Sequence, residues 1–115
     1  MNLIANKNHC LKCFEKAINH NGPSIIVAYT PCLNHKIDLK DSVNHQKNAV
    51  SCGYFNLITY ENGQLEFNSV PNFDLMDEFL QSEGRFSNLT KIDIEEIKQM
   101  KKEDYEFYLK LKEIL

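Results

Sequence analysis

The first part of the chain carries apolar residues at the spacing of an amphipathic helix. Across residues 8–20 they recur three and four positions apart, which places them on one face at about 3.6 residues per turn. The Asn21-Gly22-Pro23 turn should end this helix, because glycine accepts a left-handed cap and proline cannot continue a helix. The predicted inner face consists of Cys10, Leu11, Phe14, Ala17 and Ile18.

Three further helices are predicted along the rest of the chain. Residues 38–52 favour one that Gly53 ends with a left-handed cap. A short helix is expected after Asp74, and Asp93–Ile114 predicts a long helix whose mixed charges form a solvated face. The inner face of the helix at 38–52 is predicted to hold Leu39, Val43 and Val50.

Strands are predicted between these helices. Ser24–Thr30 is nearly continuous in apolar and β-branched residues, which is typical of a parallel strand that is covered on both faces. Tyr54–Tyr60 alternates, and Asn62-Gly63 predicts a tight hairpin turn to a return strand at Gln64–Phe67. A helix between two strands favours a parallel crossover, so the fold class is α/β. A buried strand at 24–30 needs neighbours, and we expect the sheet to continue in sequence beyond these residues.

The length, composition and net charge of the chain limit the kinds of protein that it can be. With 115 residues, 43% of them hydrophobic and 25% charged, the chain is expected to form one globular domain or less. A net charge of −3 gives no electrostatic footprint for nucleic acid or an anionic membrane. The longest apolar run is Ile25–Ala28, and residues 1–6 lack the pattern of a signal peptide, so we expect a cytoplasmic protein. The four glycines are too scattered for a nucleotide-binding loop.

Cys32 is the position where the pattern most favours chemistry. It follows Thr30-Pro31 at the carboxyl end of the predicted buried strand, where open parallel sheets form ligand crevices. Asn34 and His35 lie in the same predicted turn. A free cysteine at a strand end is also often a small packing residue, and position alone leaves both interpretations open.

The cysteines also suggest a second possibility, a zinc site. Cys10, Cys13, Cys32 and His35 have the spacing C-x2-C-x18-C-x2-H, which is near that of structural zinc sites. However, Cys10 falls on the inner face of a predicted helix and Cys13 at its margin, so a core cysteine and a bystander are the favoured interpretation. His9, His20 and His45 lie among polar residues and are predicted to be solvated, as are the acidic residues of the last 45 positions.

Four collinear stretches carry a resemblance to a known family. Gly22–His35 resembles the segment G-P-S-L-I-I-A-Y-[SA]-P-C-I-N-H near the C-terminus of pyruvate:ferredoxin (flavodoxin) oxidoreductases. Ala49–Tyr60 is similar to A-V-x-S-G-Y-W-P-L-Y-R-Y, and Glu78–Leu89 to E-F-L-x-x-E-x-R-[FY]-x-x-L. Tyr105–Leu111 is similar to the terminal R-Y-E-Y-Y-x-x-L. The sequence departs from the family pattern at Lys36 (Gly in the family), Cys52 (Ser), Phe55 (Trp) and Asn56 (Pro).

The resemblance implies a fragment or subunit of an oxidoreductase that decarboxylates pyruvate on thiamine diphosphate with Mg²⁺ to form acetyl-CoA. Electrons would pass through [4Fe–4S] clusters to ferredoxin or flavodoxin. Residues 1–70 would be the C-terminal part of a thiamine-diphosphate-binding α/β domain, with a short parallel sheet, a hairpin and flanking helices. Residues 71–115 would be a helical C-terminal tail packing on it.

For chemistry, the resemblance implies that Cys32 is one ligand of the cluster nearest the thiamine. The remainder of the parent enzyme would supply the other ligands and the Gly-Asp-Gly motif for metal and diphosphate, which has no counterpart in this sequence. The chain alone is therefore expected to be inactive. An independent zinc-binding or protein-interaction module is the alternative.

Overall fold

The computed structural model describes the backbone of residues 1–115 and every side chain except that of Leu33. Four α-helices and two strands make up the regular structure, and the fold is of the α/β class. In chain order these elements are α1 (Lys7–Asn19), α2 (Ser42–Ser51), β1 (Ile58–Glu61), β2 (Gln64–Phe67), α3 (Met76–Gln81) and α4 (Lys91–Ile114). Short 3₁₀ turns lie at Leu33–His35, Leu39–Asp41, Phe73–Leu75 and Gly84–Phe86.

The hairpin forms as the sequence predicts, although its first strand is shorter. β1 and β2 pair antiparallel, from Ile58 opposite Phe67 to Glu61 opposite Gln64. Asn62 and Gly63 connect them with φ angles of 51° and 78°, the positive values that a tight hairpin requires. The paired strands end at Ile58 and Phe67, although the Asn68 N–H still donates to the Leu57 carbonyl at 2.7 Å just beyond this pair.

The prediction of a buried strand at Ser24–Thr30 is wrong for this chain. The structure assigns no strand there, and the side chains of Ile25 and Val27 are 90% and 66% exposed. Met1 and Asn2 bond to the backbone of this segment. The Met1 amino group donates to the Val27 carbonyl (2.6 Å), the Met1 carbonyl accepts from the Tyr29 N–H (3.0 Å), and Nδ2 of Asn2 donates to the Tyr29 carbonyl (2.9 Å). A strand needs a partner along its length, and these few contacts do not supply it.

The core forms between α2, α3 and α4. Its buried members are Ala49, Cys52, Met76, Phe79, Leu80 and Ile94. The predicted inner faces of the first two helices are therefore largely wrong: of the residues predicted for α1 only Cys10 is buried, while Leu11, Phe14 and Ile18 are exposed. In α2 the covered face carries His45, Ala49 and Val50, and Leu39 and Val43 lie outside it.

Capping groups close to the helix ends define where α1 and α4 begin and where α2 ends. α1 begins after Asn6, whose side chain accepts the His9 N–H. α4 begins with a reciprocal capping box between Thr90 and Asp93. Gly53, after α2, has φ 86°, the left-handed geometry predicted for it. Within the described residues, none of the helices combines the length and apolar character needed to cross a bilayer.

Candidate functional site

The Cys32 loop, residues 31–36, lies between the exposed apolar segment and the turn that precedes α2. The thiol of Cys32 is free and exposed, and the Cys32 carbonyl accepts the His35 N–H at 3.0 Å. This bond closes a short 3₁₀ turn immediately after the cysteine. At its end Lys36 adopts a left-handed backbone with φ 56°. The loop therefore presents a thiol to solvent on a locally closed turn.

A buried carboxylate lies behind this loop. Glu83 is 0% exposed, and its Oε2 forms an ion pair and a hydrogen bond with Nε of Arg85. Its other oxygen, Oε1, lies 2.8 Å from Nε2 of His45, which is not directed at it as a well-formed hydrogen bond. Because a buried carboxylate without a counter-charge is strongly unfavourable, Arg85 is essential to this arrangement.

Arg85 connects the buried carboxylate to the Cys32 loop. Its Nη1 lies 3.1 Å from Nε2 of His35, and its Nη2 donates to the hydroxyl of Tyr54 at 3.2 Å. A guanidinium offers several donors in a fixed planar fork, so one side chain holds these groups and Glu83 at the same time. The 3₁₀ turn at Gly84–Phe86 is thereby attached to the turn at Leu33–His35.

His45 completes the buried polar cluster from α2. Its Nε2 lies 3.1 Å from the Tyr29 hydroxyl, its Nδ1 lies 3.3 Å from Oγ of Ser82, and its ring stacks on Phe79. Burial lowers the pKa of His45 below its ordinary value, although the carboxylate of Glu83 opposes this change. Burial likewise raises the pKa of the Tyr29 hydroxyl. The structure thus favours a neutral imidazole at this position.

The other three cysteines lie away from Cys32. Cys10 is buried on α1 and Cys13 is half-buried, with its Sγ 3.5 Å from Nε2 of His9. Cys52 is buried against Met76, and burial raises the pKa of its thiol to about 11. No group of three or more His, Cys, Asp or Glu side chains that could hold a metal ion occurs among the described residues. The spacing of Cys10, Cys13, Cys32 and His35 therefore does not become a four-ligand site in this structure.

Three polar residues differ from the sequence prediction. His9, His45 and Glu83 were predicted to be solvated and are buried, whereas His20 is exposed as predicted. The sequence signal for His45 is that the small apolar residues Ala49 and Val50 lie about one helical turn further on, which places His45 on the same side of α2 as these residues. The sequence signal for Glu83 is that it and Arg85 form the Glu-x-Arg part of the family motif matched by Glu78–Leu89. No other feature of the sequence distinguishes Glu83 from the surrounding acidic residues.

An open cavity of about 700 Å³ lies on the side of the molecule that carries the exposed apolar segment. α1, residues 23–27, the hairpin and α4 contribute to its walls, and Lys16 and Lys101 are among the lining residues. Ile25, Val27 and Ile58 make much of this surface apolar. In this chain, the inner face that the sequence predicts for α1 and for segment 24–30 is therefore largely exposed.

Comparison with known proteins identifies the class. No protein-family model matches the chain. It is nevertheless similar over most of its length to 2-oxo-acid oxidoreductases that carry pyruvate or ketoisovalerate in their names, and it belongs to this family, which confirms the resemblance carried by the four motifs.

The particular relatives are enzymes or subunits from several organisms. The chain is 34% identical to the ketoisovalerate oxidoreductase subunit VorB of Pyrococcus furiosus over 96% of its own length, and spans 37% of that subunit. It is 36% identical to a pyruvate-flavodoxin oxidoreductase of Trichormus variabilis over 86% of its length, and spans 9% of that protein. It is 35% identical to the pyruvate:ferredoxin oxidoreductase of Moorella thermoacetica over 76% of its length, and spans 8% of that protein. The chain therefore spans well under half of each of these relatives.

Proposed function

We propose that this chain is one part of a 2-oxo-acid oxidoreductase that passes electrons to ferredoxin or flavodoxin. The observation that carries the proposal is the similarity, at 34–36% identity, over 76–96% of the chain to enzymes or subunits of this kind. The substrate class is a 2-oxo acid, either pyruvate or a branched homologue such as ketoisovalerate. The remainder of the enzyme is the first partner of this chain, and the chain is expected to be inactive without it.

Segment 24–30 would become an interior parallel strand in the assembled enzyme. Its β-branched residues suit a strand, and the large exposure of Ile25 and Val27 supports a surface that another element covers. The two hydrogen bonds of Met1 follow the parallel arrangement, since Met1 donates to Val27 and accepts from Tyr29, two residues further on. Residues 1–70 would then complete a thiamine-diphosphate-binding α/β domain, with residues 71–115 as its helical tail.

Cys32 would be one thiolate ligand of a [4Fe–4S] cluster. Thiolate is the donor that such clusters require, and the Cys32 thiol is free and exposed on a closed turn. One thiolate fits one of the four positions of a cubane, so the rest of the enzyme must supply the others. When bound, the cluster supplies one-electron transfer. No residue of this chain is assigned to thiamine diphosphate or Mg²⁺, which the rest of the enzyme would hold.

The test replaces each cysteine in an oxidoreductase that carries this segment. Cys32→Ser should lose or destabilise one cluster, because a serine oxygen is a harder and poorer iron ligand than a thiolate. Cys10→Ser and Cys13→Ser are the matched controls and should keep the full complement of iron. The measurement is iron and acid-labile sulfide per chain, together with spectra of the reduced clusters. Full cluster content in Cys32→Ser, with iron lost from either control, would refute the ligand assignment.

The alternative is a zinc-binding or interaction module that acts by itself. Its direct test is the metal content of the purified chain. Stoichiometric zinc that is lost on replacing Cys10, Cys13 or Cys32 would favour this alternative over the oxidoreductase. The burial of Cys10 and Cys52, and the absence of a ligand cluster in the part of the chain that is described, do not favour it.

A further inference from the structure

The turn after α3 holds the Cys32 loop at two adjacent points. The Gly84 N–H donates to the Lys36 carbonyl at 3.3 Å, and Nη1 of Arg85 lies 3.1 Å from Nε2 of His35. One contact involves the backbone at the end of the loop, and the other involves a side chain within it. Together they attach residues 35 and 36 to residues 84 and 85, about fifty positions along the chain.

The attachment has a rigid base because Arg85 is itself anchored. Its Nε pairs with the carboxylate of Glu83, which is completely buried, and its Nη2 donates to Tyr54. A buried carboxylate requires its counter-charge, so the guanidinium cannot swing away without a large energetic penalty. Its fork therefore has one preferred orientation, with Nη1 directed toward the loop.

The same contact selects one tautomer of the His35 ring. A guanidinium only donates hydrogen bonds, so Nε2 of His35 is the acceptor in this contact, and the N–H of the ring is on Nδ1. Nδ1 is buried and has no hydrogen-bond partner among the described residues. The arrangement thus leaves a buried donor without a partner beside the Cys32 turn, so the contact with Arg85 is the hydrogen bond that holds this ring among the described residues.

We propose that Arg85, anchored by Glu83, is a positioning residue that orients the Cys32 loop through His35. The purpose of this orientation rests on the proposed function. A cluster ligand must be held at a defined position, and neighbouring groups that bond to the ligand's surroundings commonly hold it there. Arg85 does not touch a cluster in this scheme. It acts by restricting the turn on which the thiolate is presented.

The first test uses the chain alone and needs no cluster. Hydrogen exchange is followed at the His35 amide, whose bond to the Cys32 carbonyl closes the turn. In Arg85→Ala, exchange at His35 should rise roughly tenfold or more, since a charge-assisted hydrogen bond is lost. Arg85→Lys keeps the charge beside Glu83 but loses the fork, so it should also accelerate exchange at His35. Lys40→Ala, which removes an exposed ion pair with Asp38 next to the loop, is the matched control and should have no effect.

Two outcomes of this test would overturn the proposal. One is unchanged exchange at His35 in both Arg85 variants. The other is an equal rise throughout α3 and α4 in both variants, which would mean that Arg85 supports the whole fold and does not position one loop. A rise confined to residues 32–36 supports positioning.

The second test separates this proposal from the function on which it rests. In an oxidoreductase that carries this segment, Arg85→Lys should change the reduction potential and the electron paramagnetic resonance spectrum of one cluster while iron content is retained. If exchange at His35 rises in the chain but every cluster signal is unchanged in the enzyme, the assignment of Cys32 as a ligand fails and the positioning of the loop stands. If neither changes, the positioning role is refuted.

Discussion

Gly84 and Lys36 approach each other so closely that position 84 has no room for a side chain. A Cβ on Gly84 would overlap the Cβ of Lys36 and lie 2.9 Å from its Cδ. Lys36 itself has φ 56°, in the left-handed region that favours glycine. The family motif has glycine where this chain has Lys36, and the left-handed backbone gives a physical reason. Position 84 therefore requires glycine because of the contact, whereas position 36 carries a lysine in a backbone conformation that favours glycine.

Gly84→Ala should destabilise the chain. The added Cβ meets the inner part of the Lys36 side chain, next to the backbone, so relief requires a shift of the loop. We expect a loss of about 1–3 kcal/mol in the free energy of unfolding, the range found for overpacked sites. Urea denaturation measures it, with Ser87→Ala as a nearby exposed control that should stay within about 0.5 kcal/mol of the original chain. Equal stability of Gly84→Ala and the control would show that the loop is not held this closely.

Lys36→Gly should rescue Gly84→Ala. Glycine removes the Cβ that the new alanine meets, and it accepts the left-handed backbone without strain. The two substitutions should therefore be non-additive, with a coupling of about 1 kcal/mol or more in a double-mutant cycle. Asn62→Gly is the matched control, because Asn62 is also left-handed (φ 51°) but lies in the hairpin turn and should add independently. Simple additivity of Lys36→Gly and Gly84→Ala would contradict the close contact.

The chain should lose stability as the pH falls through the range in which histidine titrates. Burial lowers the pKa of His45, so the unfolded chain binds a proton at a higher pH than the folded chain does. The contribution of His45 to stability is then fully present above the ordinary histidine pKa of about 6.5 and is lost as the pH falls from there through the lower pKa of the folded chain. For this one group the free energy of unfolding can fall by at most about 1.4 kcal/mol per pH unit. Tyr29, Glu83, Arg85 and His35 are the charged or titratable groups around the ring.

Urea denaturation at about pH 7.5 and about pH 5.5 tests the predicted loss of stability on acidification. The two pH values lie on either side of the ordinary histidine pKa. His45→Gln should flatten the dependence, leaving the part that His9, whose pKa burial also lowers, contributes in the same direction. Stability that rises on acidification would instead show that His45 is a cation paired with Glu83. An unchanged slope in His45→Gln would place the titrating group elsewhere.

One thiol per folded chain should react quickly with a disulfide reagent. Cys32 is exposed, whereas Cys10 and Cys52 are buried, and burial raises the pKa of Cys13 and of Cys52. Because thiolate is the attacking form and must be accessible, Cys32 should react at least about tenfold faster than the others. Cys32→Ser should remove the fast phase, and Cys10→Ser should leave it intact. A fast phase that survives in Cys32→Ser would mean that another cysteine is the exposed one.

The isolated chain should associate through segment 24–30. Its apolar side chains and unpaired backbone groups resemble an exposed sheet edge, which pairs readily with other chains. Ile25→Lys should reduce association in size-exclusion chromatography, since a charge at an edge opposes pairing. Val70→Lys is the matched control, because Val70 is also highly exposed but lies outside the segment. A stable, cooperative monomer of the unmodified chain would count against the missing partner and favour a self-contained module.

Local signals predicted much of the secondary structure. The hairpin turn at Asn62-Gly63 and the return strand at Gln64–Phe67 lie where the sequence places them, because tight turns depend on a few neighbouring backbone angles. Helix α4 begins two residues before its predicted start, at a capping box that its own residues make. Cys32 lies in a loop, as expected, but the strand predicted before it is absent from this chain.

The sequence by itself determined the class of the protein, the approximate places of the four helices and the hairpin, and the cysteine most worth testing, since these depend on local pattern and motif. Only the tertiary structure decided which polar groups are buried. Glu83 and His45 look like ordinary surface residues in the sequence, and they become buried because α2 and the turn after α3 meet there. Periodicity shows which side of a helix is apolar, but whether that side is covered depends on the position of another element, which the local pattern does not encode. Ile18 of α1 was predicted to face inward and is 79% exposed for this reason.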